Sequence, residues 1–263
     1  MKPPTFDPQW SDEIKALYRH DVQEIWDRSI ARQMWHQYHN QLDIYLAISG
    51  EYRVPSKILD VGCAQGTLAL LLAERGHDVV AVDLRQPFLD YAQSRYTHGD
   101  IRFKCANALD LDLDETFDLI FANQIIEHLV YPEQLIRRLR RHLRPEGRLV
   151  VTTPNWHYAL NRLPSFDQIG DPSSHEAKQF TADSDGHFYA YTAQELKRTF
   201  AGEGLAHVRV RYFESPFISG HLKIRHLHRL VPIAVLRRLD RVALATPLCR
   251  QLAHQLMVVG QAA

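Results

Sequence analysis

Two acids, one glycine loop and a pair of histidines carry most of the chemistry legible in these 263 residues. The apolar run Ile58-Leu59-Asp60-Val61 leads into Gly62-Cys63-Ala64-Gln65-Gly66, and the helix-like run Leu68 to Ala73 follows. Strand, tight turn and helix in that order make a ligand cradle. Gly62 lets the backbone approach a ligand closely, and Gly66 lets the helix pack near the strand. The amides of the helix start point at whatever lies above the loop. A second apolar run, Val79 to Val82, also ends on an acid, Asp83. An acid there can accept both ribose hydroxyls of an adenosine ligand. Asp60 is read either as a second ligand contact or as a brace for the glycine loop. Further along stands Asn123-Gln124-Ile125-Ile126-Glu127-His128. His128 is a candidate general base with Glu127 to orient it. The alternative is that Glu127 and His128 only brace their loop by hydrogen bonds.

The elements that must position these groups follow from periodicity. Strands are expected at 57–61, 78–82, 101–105, 117–122, 147–152, 206–213 and 255–260. Helices are expected at 67–75, 87–95, 132–143 and 193–203. Gly76 suits the residue just past the first of these helices. Pro87 suits the first turn of the next. Thr192 and Glu195 make a capping box ahead of Leu196 and Phe200. Such alternation predicts a mostly parallel sheet covered on both faces, a doubly wound α/β fold. Before it, residues 11–49 read as a helical arm carrying Tyr18, Trp26, Trp35, Tyr38 and Tyr45, rings that mostly pack on the core. Two stretches are less regular: 154–191, and an insertion at 217–253.

Bulk properties narrow the class. The length suits one α/β domain, 1–263, with a core at 55–216, and no Gly/Ser or Pro-rich linker divides it. The formal net charge is zero with histidine neutral, so no global field draws nucleic acid. Arg137, Arg138, Arg140 and Arg141 alternate with Leu135, Ile136 and Leu139, which predicts an amphipathic helix with a solvated basic face. The three cysteines, Cys63, Cys105 and Cys249, are odd in number and widely spaced. A disulfide framework is not expected, and a cytoplasmic setting fits. The start MKPPTFDPQW lacks the apolar core of a secretory signal. No uncharged apolar run approaches the ~20 residues of a membrane span.

Five pieces in order, ILDVGCAQG, VVAVDL, CANALDLDLDETFDLIFANQIIEHL, LRRHLRPEGRLVVTTPN and HFYAYTAQELKRTF, resemble the class I S-adenosylmethionine-dependent methyltransferases. The resemblance covers roughly residues 55–205. Its nearest flavour is the small-molecule branch that includes the ubiquinone-pathway O-methyltransferases. It implies a seven-stranded, Rossmann-like sheet whose last strand, at 255–260, is antiparallel. It implies S-adenosylmethionine as cofactor and methyl transfer to an oxygen of a small molecule. The cofactor residues it implies are Asp60, Gly62, Cys63, Gly66, Asp83, Leu84, Asn107, Ala108 and Asn123. Ala64 stands where many relatives have a third Gly, and Asn107 where many have an Asp near the adenine. His128 and His187 are the implied catalytic histidines, because His187 leads through His-x-x-x-Tyr-Thr into a capped helix. His157, Tyr158, His175 and Tyr189 share that loop-rich stretch, and one or two residues of this group could face the acceptor. Some ubiquinone-type relatives hold a divalent cation with Glu-x-x-Glu-His; Gln124 replaces the first Glu here, so no metal is expected. The segment also lacks the Asn/Asp-Pro-Pro-aromatic pattern of enzymes that methylate base amines of nucleic acids.

Three other readings remain open on sequence alone. Within the class they are N-methylation or methylation of a sugar. From another class comes a nicotinamide-dependent reductase, which shares the first turn but would show a fuller Gly-x-Gly-x-x-Gly and a Tyr-x-x-x-Lys pattern. The third is a cofactor-binding partner without catalysis. In the insertion, Ile224, Leu227, Leu230 and Val231, then Val235, Leu236, Leu239, Val242 and Ala243, recur at helical spacing beside Lys223, Arg225, Arg229, Arg237, Arg238 and Arg241. Two basic amphipathic helices there can cap the sheet edge, close over an acceptor pocket, form a homodimer face, or touch an anionic membrane through 221–244. The plain cap is the reading of first choice, and the lid is preferred among functional roles.

Overall fold

The computed structural model describes residues 1–178 and 186–263. Its helices are α1 (Asp12–Asp21), α2 (Arg32–Ser49), α3 (Thr67–Glu74), α4 (Gln86–Ser94), α5 (Pro132–Arg141), α6 (Ala193–Gly202), α7 (Pro216–Ser219), α8 (Leu227–Leu230), α9 (Ile233–Leu244) and α10 (Cys249–Leu252). Its strands are β1 (Lys57–Val61), β2 (Asp78–Asp83), β3 (Asp100–Cys105), β4 (Phe117–Asn123), β5 (Leu143–Pro154), β6 (Leu205–Phe213) and β7 (Gln255–Ala262). They form a seven-stranded sheet in the order β3-β2-β1-β4-β5-β7-β6. β1 and β2, β2 and β3, and β4 and β5 pair in parallel, whereas β7 runs antiparallel to both β5 and β6. The doubly wound sheet with an antiparallel last strand is therefore present. The chain divides into two compact units, Met1–Ala108 with Pro216–Asp240, and Leu109–Ser215 with Arg241–Ala263.

In the first unit β1 and β2 are buried along nearly their whole length, as unbroken Val/Ile/Leu runs demand. Gly76 follows α3 with φ +89°, the left-handed residue that ends the helix, and Pro87 lies in the first turn of α4. Gly66 caps the start of α3 with φ +74°. Its neighbour is a helix and not the strand foreseen: a Cβ at Gly66 would lie 2.6 Å from the Cβ of Ala92 in α4. Gly66→Ala should therefore combine left-handed strain with a clash between two helices. We expect a loss of about 2–4 kcal/mol in urea unfolding; a loss under ~1 kcal/mol would show that the loop re-forms around the methyl group.

The N-terminal arm is two helices and not one continuous run. Ser11 caps α1, accepting from Ile14 N–H at 3.4 Å. One wide π-helical turn, Val22–Trp26, then leads to a break. Asp27 accepts from the backbone and hydroxyl of Ser29 at 2.8 and 2.5 Å, a local turn that competes with the helix. Ile14, Leu17, Phe88 and Tyr91 form a buried cluster with Trp10 and Tyr18 against it, so those rings do pack on the core.

In the first unit the insertion bonds to α2. Arg32 donates to the carbonyls of His228 and Arg229 at 3.5 and 3.4 Å, and Arg237 pairs with Asp43 at 2.5 Å. His36 of α2 meets His228 at 2.9 Å through their Nδ1 atoms, both rings buried.

In the second unit β5 begins at Leu143, four residues before the expected start, and α5 ends at Arg141 instead of 143. Leu143 pairs with Phe117, and Arg144 holds Asp118 at 2.8 Å. The polar run Arg144-Pro145-Glu146-Gly147 gives no strand pattern of its own, because it is the irregular step between the Phe117–Leu143 and Leu119–Arg148 pairs. The Thr192–Glu195 capping box at the start of α6 is present in both directions. Two arginines of α5 are held within the unit: Arg137 forms a two-pronged pair with Glu203 at 2.8 and 2.9 Å, and Arg138 donates to Leu109 O at 3.2 Å. Among the described residues, no helix is long and apolar enough to cross a membrane.

Candidate functional site

The glycine loop and Asp83 meet in the first unit. Gly62 and Cys63 turn their amides back onto Val82 O at 2.8 and 3.0 Å, which holds the loop along β2. Ala64, in place of a glycine, still adopts φ +46°. Its amide donates to Asp83 Oδ2 at 2.9 Å. That charge-assisted bond helps to hold a conformation that costs an alanine roughly 1–2 kcal/mol. Asp83 Oδ1 accepts from the Arg85 amide at 3.0 Å and from Arg85 Nε at 3.3 Å. A carboxylate has about four acceptor sites, and three are thus in use. Arg85, stacked 3.6 Å above the Phe88 ring, is the group that must give way for Asp83 to accept two hydroxyls. The sequence reading did not include Arg85. Its position, two residues after a strand-end acid, was the available signal.

Asp60 is buried, and its carboxyl is pushed up to about 7 by that burial first and then by Asp83; the Ala69 amide, donating from the first turn of α3, opposes this. Asp60 therefore braces the start of α3 while remaining available as an acid. Burial likewise pushes the Cys63 thiol up, with Asp60 and Asp83 adding to it, so this cysteine is no nucleophile. Leu84 is exposed, 49% of its surface open. Asn107 and Ala108 follow the hook of Ala106 N–H onto Asp83 O at 3.0 Å, both half-buried.

Behind the loop lies a polar network that sequence reasoning missed. Arg95 and Asp21, both fully buried, pair at 3.0 Å. Arg95 also donates to Gln65 O at 2.5 Å and to Thr67 Oγ1 at 3.0 Å. Asp21 accepts from Tyr91 Oη at 2.9 Å and Trp26 Nε1 at 3.1 Å. Gln65 donates to Glu24 at 3.0 Å and Tyr38 Oη at 3.1 Å. The glycine loop is thus fastened from below by the N-terminal arm. Burial holds Glu24 up at about 7, with Asp21 adding to it, so the arm presents a partly protonated acid to Gln65. Apart from the Trp26–Asp21 bond, these contacts join residues at least 27 apart in sequence, and no local pattern announces them.

The second unit brings Glu127, His128 and His187 together. Ile126–His128 is one tight turn after β4. Tyr189, fully buried, aims its hydroxyl at the carbonyls of Ile126 and Leu129, 2.6 and 2.7 Å away. Phe188 N–H donates to Glu127 O at 2.9 Å. These bonds strap residues 187–189 to the turn and set the His128 and His187 rings edge to face, 4.7 Å apart. Burial lowers the His187 imidazole below its usual range, with His128 and His254 adding to it. Burial pushes Glu127 up to about 8, so it is largely a neutral acid at pH 7. Glu127, His128 and His187 each offer a ligand atom, all within 4.8 Å of one another. One protonated carboxyl and two imidazoles do not suit Mg²⁺, which takes oxygen ligands.

Asn123 and Gln124 stand at the end of β4. Asn123 Oδ1 accepts from Thr152 Oγ1 at 3.1 Å, and Gln124 reaches Thr152 and Gln255 with φ +54°. Of the other loop candidates, Tyr189 is a strap and not an acceptor contact, because its hydroxyl is spent on carbonyls. Tyr158 is buried against His254, and His175 leans on Phe188. His157 is half-buried.

A glycine loop on β1, an acid ending β2 and a mostly parallel sheet define a nucleotide-cofactor-binding α/β protein. The family model described as a methyltransferase domain matches residues 18–210. The chain belongs to that family, and not to the nicotinamide-dependent reductases. The ubiquinone biosynthesis O-methyltransferase of Rickettsia akari is 30% identical over 101 residues, 38% of this chain and 40% of that relative. The chain thus matches less than half the length of that relative. Among solved structures, the N-methyltransferase NodS from Bradyrhizobium japonicum WM9, in complex with S-adenosyl-L-homocysteine, superposes with a TM-score of 0.55 at 15% identity, covering 96% of this chain and 99% of that one. Magnesium protoporphyrin IX methyltransferase from Synechocystis PCC 6803, also with that ligand, gives 0.61 at 11% identity, covering 96% and 95%. At these identities the likeness is one of fold.

Proposed function

We propose that this chain binds S-adenosylmethionine on the Gly62–Gly66 loop and transfers its methyl group to an oxygen of a small molecule by direct displacement. The observation that carries the reading is the Ala64–Asp83 bond. It holds the loop open while keeping a strand-end carboxylate beside it, as an adenosine ligand requires. The oxygen acceptor is taken from the relatives' O-methylation. N-methylation of an amine is the alternative outcome of the test. The test is incubation with methyl-labelled cofactor and a panel of small hydroxyl and amine compounds. Label on an oxygen supports the proposal, label on nitrogen moves it to N-methylation, and no labelled small molecule with any candidate overturns it.

Asp83 carries the ligand and its own loop together. Asp83→Ala removes a charge-assisted pair and strands the Ala64 amide. Affinity for S-adenosylhomocysteine should fall by about one to two decades, ~1.5–3 kcal/mol. Calorimetry showing affinity within twofold of the parent would remove Asp83 from the site.

The reaction proceeds without a metal in this proposal. Displacement at a sulfonium needs alignment and exclusion of water more than a Lewis acid. Gln124 supplies no charge, and Glu127 must lose a proton before it can ligate. Activity should survive EDTA undiminished. Loss on chelation with recovery on adding Mg²⁺ would reverse this point.

A further inference from the structure

We propose that Glu24 of the N-terminal arm is a positioning residue for the cofactor, holding the Gly62–Gly66 loop in its binding conformation through the side chain of Gln65. The inference rests on the cofactor assignment and adds to it a residue from outside the loop. Gln65 stands between two left-handed residues, Ala64 at φ +46° and Gly66 at φ +74°. A turn of that kind keeps its shape only where bonds from its surroundings over-determine it. Asp83 holds the Ala64 side, through the amide bond at 2.9 Å. The arm holds the Gln65 side. Gln65 Nε2 donates to Glu24 Oε2 at 3.0 Å and to Tyr38 Oη at 3.1 Å, which uses both hydrogens of the amide. The Gln65 carbonyl accepts from Arg95 at 2.5 Å. Gln65 is buried, so these bonds and not water fix it.

Glu24 is the member of this set whose bond to Gln65 changes near neutral pH. Arg95 is tied to Asp21 in a fully buried ion pair, and burial keeps Tyr38 a phenol. Glu24, on the turn Val22–Trp26, is faced by Asp21 from α1, Tyr38 from α2 and Gln65 from the loop, with Arg95 and Asp60 beyond Tyr38. Burial first and then Asp21 push its carboxyl up to about 7, and the Gln65 bond opposes them. The carboxylate accepts from Gln65 by a charge-assisted bond, roughly twice as strong as the bond to a neutral acid. A ligand that closes on the ordered loop therefore binds the carboxylate form better. By linkage, its affinity falls as pH drops through the Glu24 value, and its binding makes Glu24 more acidic.

The experiment is calorimetric titration of the full chain and of its Glu24→Gln variant with S-adenosylhomocysteine, from about pH 6 to about pH 8. The variant is neutral at every pH and keeps an oxygen for Gln65. At the alkaline end the parent should bind about fivefold more tightly than the variant, and the two should converge at the acid end. Asp60, also pushed up to about 7, titrates in both proteins, so the ratio of the two affinities and not either profile reads Glu24. A second measurement needs no variant: the ¹³C resonance of the Glu24 carboxyl, followed by NMR, should titrate at lower pH once S-adenosylhomocysteine is added. A ratio that stays constant across the range, or a Glu24 resonance whose titration ignores the ligand, overturns the proposal. Equal binding by the two proteins removes Glu24 and leaves the cofactor assignment standing. No binding by the parent at any pH removes that assignment and this proposal with it.

Discussion

Arg95→Ala should lower stability by about 3–5 kcal/mol, the cost of leaving one partner of a buried ion pair uncompensated. For a chain of this size that is a fall in melting temperature of roughly 6–20 °C. Arg95 holds Asp21, Gln65 O and Thr67 Oγ1 at once, and none of these is replaced by water when both acid and base are fully buried. The pH dependence separates this from ordinary loss of packing. Burial already raises the Asp21 carboxyl, against the pull of Arg95 and the bonds from Tyr91 and Trp26. Without Arg95 it rises further. A carboxyl whose folded pKa lies above its unfolded value contributes stability that is present at low pH and lost as pH rises through the folded value. The deficit of the variant should therefore be largest at neutral pH and shrink as pH falls through the raised folded value of its Asp21, the unfolded value being common to both proteins. Thermal unfolding of both proteins from acid to neutral pH measures it. A deficit independent of pH would assign the effect to lost packing alone. Arg95→Ala/Asp21→Asn should recover part of the loss, since no buried charge is then left alone.

His128→Ala should reduce kcat by roughly 10²–10⁴ with affinity for S-adenosylhomocysteine unchanged, the usual contribution of a general base. We take His128, at the turn after β4, as the base. Burial first, then His128 and His254, lower the His187 imidazole, whose ring meets that of His128 edge to face at 4.7 Å. His187→Ala should cost less than His128→Ala. If both single variants keep near-normal kcat, proximity alone drives the step and neither is a base.

The strand and helix pattern was legible because buried parallel strands are unbroken apolar runs, and because Gly76, Pro87 and Thr192-x-x-Glu195 punctuate the helices as their chemistry requires. The places of Gly62 and Gly66 in the loop, and of Asp60 and Asp83 at the strand ends, were legible for a related reason: they are set by the residues beside them. The early start of β5 was hidden, since Arg144 to Gly147 is a polar, irregular step between two strand pairs. The break in the N-terminal arm rests on a single Asp27–Ser29 turn. Arg95, Asp21, Glu24, Gln65 and Tyr38 were out of reach because their bonds cross tens of residues. Which residues of the group His157, Tyr158, His175, His187 and Tyr189 face the acceptor was left open, since a buried tyrosine such as the Tyr189 strap and a ligand-facing one look alike in sequence.

Calorimetric titration of the chain with S-adenosylhomocysteine, and separately with NADH, tests the cofactor assignment most directly. We predict saturable binding of S-adenosylhomocysteine at one site per chain, weakened by one to two decades in Asp83→Ala, and no comparable heat from NADH. Tight binding of NADH with no response to S-adenosylhomocysteine would contradict the account.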